Sequence, residues 1–157
     1  RAGDLIAGTW VVEAPKTKLQ EAMSVSHTAQ GGASHATGTA YRFPDIRWIF
    51  SHGGGVLPFM SRRLAVVGER PQYKALLPDG FMAAARRLYF DTAQQIEHAP
   101  LAAMKEVLTP SWIVFGTDYP AVSQQTADAI EKSGVFDANE QQMIWRGNAA
   151  KLFPRLA

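Results

Sequence analysis

The sequence predicts an α/β domain in which parallel strands alternate with helices. Two stretches carry this prediction: the largely apolar run Arg47–Phe50 is followed by Ser51–Gly55, and the run Trp112–Phe115 is followed by Gly116–Pro120. In both, a β-type run ends in polar and glycine residues, as at the C-terminal edge of a strand in an α/β sheet. Helix-forming segments separate these runs, which indicates βαβ units and a parallel sheet.

Composition limits the class of protein. The chain has 157 residues, of which 46% are hydrophobic, enough for one domain with a core. Its formal net charge is +2, and its basic residues are scattered apart from two adjacent pairs, Arg62-Arg63 and Arg86-Arg87. Nucleic-acid binding usually needs a denser basic face. There is no cysteine, and no apolar run approaches the roughly 20 residues that span a bilayer. We expect a single cytoplasmic domain over residues 1–157, with no nucleic-acid or membrane partner.

The first part of the chain gives weaker signals. Leu5–Glu13 is predicted to be a strand or the start of a helix, and Thr17–Val25 a short helix. Residues 26–39 are small, polar and glycine-rich, so a loop or disordered segment is expected there. The chain begins with Arg1 rather than Met, and we expect it to start inside a longer reading frame.

The regular elements follow the turn signal Phe43-Pro44-Asp45. Strands are predicted at 47–51, 88–92 and 112–115. Helices are predicted at Leu57–Glu69, Phe81–Arg87, Pro100–Val107, Ser123–Lys132, Ala138–Trp145 and Asn148–Phe153. Asp137 is a predicted N-cap, and the two prolines within 71–79 predict a connection without helix.

His52 and Asp118 are the main candidates for chemistry. A histidine at a strand end can bind a metal or act as a general acid or base, and the alternative is a buried histidine bonded to backbone. Asp118 can bind a divalent cation or orient a water, and the alternative is an aspartate that closes the turn before Tyr119-Pro120. At equivalent edges of one parallel sheet, the two side chains would converge on one pocket.

Other polar residues are less specific. Asp91 either lines the same pocket or caps the turn after its strand. Arg62 and Arg63 either bind a carboxylate bidentately or form a solvated helix face. Three further histidines are weaker candidates: His27 and His35 in the glycine-rich segment lack a scaffold for a metal, and His98 is expected at the surface or at a helix cap.

Four segments resemble one known family, the amidohydrolase-related metal-dependent decarboxylases, which include aminocarboxymuconate-semialdehyde and 6-methylsalicylate decarboxylases. They are Phe43–Gly55, Leu88–Ala93, Phe115–Pro120 and Asn148–Phe153, in the family's order. The resemblance implies that the chain is the C-terminal part of a (β/α)8 barrel of the metal-dependent hydrolase type.

The resemblance also implies roles. Asp118 would be the metal ligand from the last strand and His52 the catalytic histidine, with a divalent metal, zinc or manganese, as cofactor. Arg63 matches an arginine that binds the substrate carboxylate across a dimer in some members. Asp91 and Tyr119 complete the expected substrate-binding set.

The sequence also departs from the family. The family's His-x-His pair and a further histidine ligand have no counterpart, and we expect them upstream of Arg1. Tetrahedral zinc takes three protein ligands and a water, so we expect the chain alone to bind metal weakly and to be nearly inactive. Half a barrel would leave two strand edges unpaired, so we expect a homodimer or an unstable monomer.

The sequence thus predicts a metal-dependent, non-oxidative decarboxylase, a carboxy-lyase, acting on an aromatic or unsaturated carboxylic acid. The alternatives are a metal-dependent hydrolase of a lactone or amide from the same superfamily, and an inactive remnant or binding module. Release of carbon dioxide separates the first from the second.

Overall fold

The computed structural model describes residues 9–11, 43, 45–121 and 123–156. These residues form two compact units. Unit 1 holds the described residues up to Ile49 together with Met60–Leu88, and unit 2 holds Phe50–Phe59 and the described residues from Tyr89 onward. The single domain over 1–157 stays a prediction. The predicted helix Thr17–Val25, the predicted loop 26–39, His27 and His35 lie outside the described residues.

The strands are β1 (Thr9–Val11), β2 (Trp48–Phe50), β3 (Tyr89–Asp91) and β4 (Ile113–Val114). The helices are α1 (Leu57–Gly68), α2 (Pro71–Lys74), α3 (Phe81–Ala85), α4 (His98–Leu108), α5 (Ser123–Lys132), α6 (Ala138–Gln142) and α7 (Asn148–Leu152). A π-helical turn, Met143–Gly147, joins α6 to α7. Within the described ranges, no helix is long and apolar enough to cross a membrane.

The predicted strands and helices from residue 47 onward are confirmed, with shifted ends. One prediction was wrong: residues 71–79 contain the short helix α2. Pro71 is its first residue, a position where the missing N–H costs no hydrogen bond and the fixed φ suits a helix.

Unit 1 places β1 beside β2 in the sheet. Gly68, the last residue of α1, lies so close to α3 that a Cβ there would be 3.1 Å from the Cβ of Phe81. The buried hydrophobic residues of this unit are Ile46, Trp48, Leu77, Phe81, Ala84, Ala85 and Leu88.

Unit 2 is built on the parallel pair of β3 and β4, in which Phe90 lies opposite Ile113 and Asp91 opposite Val114. Helix α4 buries Leu101, Met104 and Leu108, whose spacing of three and four residues gives it one apolar face. Further buried residues of unit 2 include Ile130, Phe136, Ile144 and Leu152. Because β3 and β4 run in the same direction, the loops that follow them leave from the same edge.

The C-terminal helical segment covers the edge of β4 that faces away from β3. The carbonyl of Val114 faces β3, so the carbonyl of Ile113 and the N–H of Phe115 point to the opposite side. The buried amide of Asn148 donates to the Ile113 carbonyl at 2.7 Å, and Phe115 N–H donates to the Ile144 carbonyl at 3.0 Å. The expectation of an unpaired strand edge is therefore wrong at these two groups.

Helix α6 begins with the predicted N-cap. The Asp137 carboxylate accepts from Glu140 N–H at 2.9 Å, and the Glu140 carboxylate accepts from Asp137 N–H at 2.9 Å. Glu140 also pairs with Lys105 at 2.6 Å, which ties α6 to α4. This reciprocal capping box satisfies two helix N-terminal donors and confirms the Asp137 prediction.

Candidate functional site

Three loops of unit 2 form the candidate site. They are the β2 loop (Ser51–Val56), the β3 loop (Thr92–Glu97) and the β4 loop (Phe115–Ala121), each following the C-terminal end of its strand. The β2 loop starts next to β3, because the ring of Phe50 stacks on that of Phe90 with centroids 5.7 Å apart. This is the strand edge at which (β/α)8 barrels carry their active sites.

His52 is exposed at the start of the β2 loop. Its backbone N–H donates to the Asp91 carboxylate at 2.8 Å, and its φ of 55° is in the left-handed region. The alternative of a buried histidine is wrong, because His52 is exposed and is held through its backbone N–H. The imidazole is thus accessible for proton exchange with a ligand.

The glycines after His52 bring the β2 loop against the core of unit 2. A Cβ on Gly53 would lie 2.7 Å from the sulfur of Met104, and one on Gly54 would lie 2.8 Å from the ring of Phe90. Both glycines also have positive φ, of 62° and 77°. Side chains at these two positions would therefore displace the loop that carries His52.

Asp91, the last residue of β3, holds the β2 loop. Its Oδ1 accepts from His52 N–H at 2.8 Å and from Ala93 N–H at 3.0 Å. Burial raises the pKa of Asp91, the two N–H donors and the charge of His52 lower it, and the charge of Asp118 raises it. The turn-capping contact considered from the sequence is present as the bond from Ala93, and the bond from His52 adds a link between loops. Its substrate-binding role stays a prediction.

Thr92 and Gly116 lock the β3 and β4 loops together. The Thr92 hydroxyl donates to the Gly116 carbonyl at 2.9 Å and accepts from Gly116 N–H at 3.1 Å. Thr92 is fully buried, and a Cβ on Gly116 would lie 3.0 Å from the Cβ of Asp91. Sequence reasoning did not single out Thr92, although a hydroxyl directly after an apolar strand and an aspartate was a usable signal.

Asp118 lies in the exposed turn of the β4 loop, closed by a 2.9 Å bond from Ala121 N–H to the Asp118 carbonyl. Its carboxylate accepts from the side-chain amide of Gln94, an exposed residue of the β3 loop. The carboxylate is therefore engaged with a second loop. Sequence reasoning missed Gln94, because a glutamine in an exposed turn has no distinguishing pattern.

Left-handed backbone is concentrated in these loops. Among the described residues, four non-glycine residues have positive φ: His52, Gln94, Thr109 and Asp118. Three of the four lie in the site loops. Such conformations cost about 1–2 kcal/mol per residue, and they cluster at functional sites.

The remaining predicted site residues are exposed. Tyr119 is 83% exposed beside Asp118. Arg62 and Arg63 are exposed on the part of α1 that belongs to unit 1. His98 is exposed as the first residue of α4, as expected. The roles of Arg63 and Tyr119 in substrate binding stay predictions.

The described part of the chain does not complete a metal site. No group of three His, Asp or Glu side chains within it is placed to hold a metal ion. Asp91 Oδ1 already accepts two N–H groups, and the exposed carboxylates of the three loops are those of Asp118 and Glu97. Zinc takes at least three protein ligands, so these residues do not fit such a site by themselves.

The amidohydrolase family model matches residues 23–155. The chain belongs to this family. Among its relatives, a 6-methylsalicylic acid decarboxylase from Penicillium expansum is 32% identical over 127 residues. That match covers 76% of this chain but 38% of the Penicillium enzyme.

Solved structures of family members agree with the fold. A 2,6-dihydroxybenzoate decarboxylase in complex with 2,6-dihydroxybenzoate has a TM-score of 0.66 and 26% identity, covering 80% of this chain and 41% of that one. A dihydroxybenzoic acid decarboxylase from a Polaromonas species, with bound manganese and the inhibitor 2-nitroresorcinol, has a TM-score of 0.66 and 20% identity, covering 84% and 41%. The chain therefore has the α/β fold of one part of an amidohydrolase barrel, as predicted. It spans about two fifths of the length of these relatives.

Proposed function

We propose that the protein carrying this chain is a metal-dependent, non-oxidative decarboxylase of an aromatic or unsaturated carboxylic acid. The observation that carries the proposal is exposed His52. The Asp91 carboxylate holds its backbone N–H at the same strand edge from which the loop with Asp118 leaves. A histidine so placed can exchange protons near neutral pH. The decarboxylase relatives described above support this chemistry.

His52 acts as the proton donor. As an imidazolium, it protonates the carbon that bears the substrate carboxylate, and the new C–H bond interrupts the conjugation. The bond from this carbon to the carboxylate then breaks, its electron pair restores the conjugation, and carbon dioxide leaves. His52 recovers its proton from water. The bond from His52 N–H to Asp91 fixes the backbone from which the imidazole projects.

The substrate is a small carboxylate. Arg63 of the second chain in the proposed homodimer would bind its carboxylate group through two parallel N–H donors, the geometry that guanidinium groups favour. Tyr119 and Asp91 would contact the rest of the substrate. The substrates named for the relatives, 6-methylsalicylate and 2,6-dihydroxybenzoate, are the first candidates to test.

Asp118 is the proposed ligand of a divalent cation, zinc or manganese. The bound manganese of the Polaromonas enzyme supports a divalent metal in the family. Since the described residues do not complete a site, the other ligands would come from the rest of the polypeptide or from a second chain. We place the protein in the cytoplasm as a homodimer, and a monomeric mass by light scattering would refute the dimer.

The test is carbon dioxide release by the protein purified from its own source with its metal retained. His52→Gln should lower the rate by at least about 100-fold, the contribution expected of a general acid. His98→Gln is the matched control, because His98 is also exposed but lies outside the three loops, and it should leave the rate unchanged. In heavy water, the product should carry deuterium at the carbon that lost the carboxylate.

Equal rates for the two histidine variants would overturn the role of His52. The lactone or amide hydrolase considered from the sequence stays an alternative prediction. It would be recognised by addition of one water to a cyclic substrate with no carbon dioxide released.

A further inference from the structure

The contact between Gln94 and Asp118 connects two loops that start from a common fixed point. Thr92 and Gly116 share two hydrogen bonds, of 2.9 Å and 3.1 Å, between the Thr92 hydroxyl and the Gly116 backbone. Gln94 follows Thr92 by two residues, and Asp118 follows Gly116 by two residues. The positions of both side chains are therefore set from one buried anchor.

Each of the two loops adopts a left-handed backbone conformation two residues beyond this anchor. Gln94 has a φ of 56° and Asp118 a φ of 57°, both in the left-handed region. Glycine would adopt these conformations without the cost of about 1–2 kcal/mol that other residues pay. Both residues are exposed, so the cost is not offset by burial of their side chains. The two side chains themselves account for the choice of residue, because their amide and carboxylate meet.

A glutamine amide can hold a carboxylate in one orientation without adding a charge next to it. It donates one hydrogen bond to Asp118 Oδ2 and carries no charge. A lysine or arginine in its place would offset the negative charge of Asp118. With the uncharged amide on Oδ2, Oδ1 is left for a cation or a substrate proton.

We propose that Gln94 is a positioning residue that fixes the orientation of the Asp118 carboxylate. The role of the oriented carboxylate as a metal ligand rests on the function proposed above. The orientation itself is a property of the described loops and can be measured on the chain without substrate or metal.

The chain contains a matched control. On α5, the side-chain amide of Gln124 donates to Asp128 at 2.8 Å, so this exposed pair repeats the same contact outside the site loops. Gln94→Met and Gln124→Met each remove one amide donor at nearly constant side-chain length. Both contacts are exposed, so each substitution should change the free energy of unfolding by no more than about 0.5 kcal/mol.

The readout is the side-chain rotamer of Asp118, from three-bond coupling constants measured by NMR on the isotopically labelled chain. The wild-type chain should show one Asp118 rotamer, and Gln94→Met should show an average over several. Gln124→Met should leave Asp118 unchanged. An averaged Asp118 in the wild type, or a single rotamer kept in Gln94→Met, would overturn the proposal.

Gln94→Gly separates positioning from folding. It removes the amide and relieves the left-handed strain, so the melting temperature should stay the same or rise while the Asp118 rotamer averages. A fall in melting temperature together with an unchanged rotamer would mean that Gln94 only supports the fold.

Activity provides an independent arm. In the active protein, Gln94→Met should lower carbon dioxide release by roughly 10- to 100-fold, the usual effect of losing a group that orients a ligand residue. Rotamer averaging without any loss of rate would keep the positioning role and refute a catalytic use of Asp118. Failure of the decarboxylase proposal would appear as an absence of carbon dioxide release in the wild type, with the rotamer result unaffected.

Discussion

The two ends of β4 are held by contacts of opposite character. At its start, the fully buried amide of Asn148 donates to the carbonyls of Pro110 and Ile113, both at 2.7 Å. Beyond its end, the exposed carboxylate of Asp118 accepts from the exposed amide of Gln94. The buried amide fixes where the strand runs, whereas the exposed amide fixes only a side chain. Stability and chemistry should therefore respond to different substitutions along one short segment.

The largest expected effect is at the buried end. Asn148→Ala leaves the buried carbonyl of Ile113 without its donor, which costs about 1–3 kcal/mol. It also removes one hydrogen bond, worth about 1 kcal/mol, from the carbonyl of Pro110, which keeps the N–H of Ile113 as a donor. We expect a loss of about 3 to 4 kcal/mol in the free energy of unfolding, measured by urea denaturation. Asn139→Ala, at an exposed asparagine of α6, is the control and should cost no more than about 0.5 kcal/mol. If Asn148→Ala cost no more than Gln94→Met, the contrast between the two ends of β4 would fail.

The β2 loop combines buried and exposed contacts. Gly53 and Gly54 pack against the buried side chains of Met104 and Phe90, and His52 beside them is exposed. Gly54→Ala adds a Cβ 2.8 Å from the Phe90 ring at a φ of 77°, whereas Gly55→Ala adds one at a φ of 62° with no atom within 4 Å. We expect losses of about 3 kcal/mol and about 1 kcal/mol respectively, measured by thermal unfolding. Similar losses for both would show that the approach to Phe90 costs nothing and that only backbone conformation matters.

The smallest expected effect is a change in how the stability of the folded chain depends on pH. Burial raises the pKa of Asp91 above its usual value of 3.8, so the folded chain holds this proton more tightly than the unfolded chain. The contribution of Asp91 to stability is then greatest below pH 3.8 and is lost as pH rises through its folded-state pKa. Asp91→Asn should remove this decline in urea midpoints while keeping an oxygen to accept from His52 N–H.

Asp128 gives the opposite sign as a control. The amide of Gln124 and the charge of Lys132 lower its pKa, so its stabilising contribution is lost as pH falls instead. Asp128→Asn should flatten the acid side of the stability profile. If the decline in stability as pH rises above 3.8 persisted in Asp91→Asn, it would belong to another group.

Much of the fold could be predicted because the signals were local. The helices other than α2 follow local patterns of apolar spacing and capping residues. Asp137 marks the start of α6 through the same capping contacts that the structure shows. Helix α2 was missed because two prolines suggested a connection, although Pro71 fits a first helical turn. The covered edge of β4 was missed because its partners, Ile144 and Asn148, lie about 30 residues further along the chain.

The sequence by itself determined the alternation of strands and helices, the loops that follow the strands, and His52 and Asp118 as the residues to examine. Each of these depends on neighbours within a few positions, which a periodic pattern or a glycine run records. Only the tertiary structure decided which polar groups meet. The bonds from His52 to Asp91, from Gln94 to Asp118 and from Asn148 to Ile113 join residues at least 24 positions apart. Hydrogen bonds depend on distance and angle in space, and spacing along the chain does not specify these for residues so far apart.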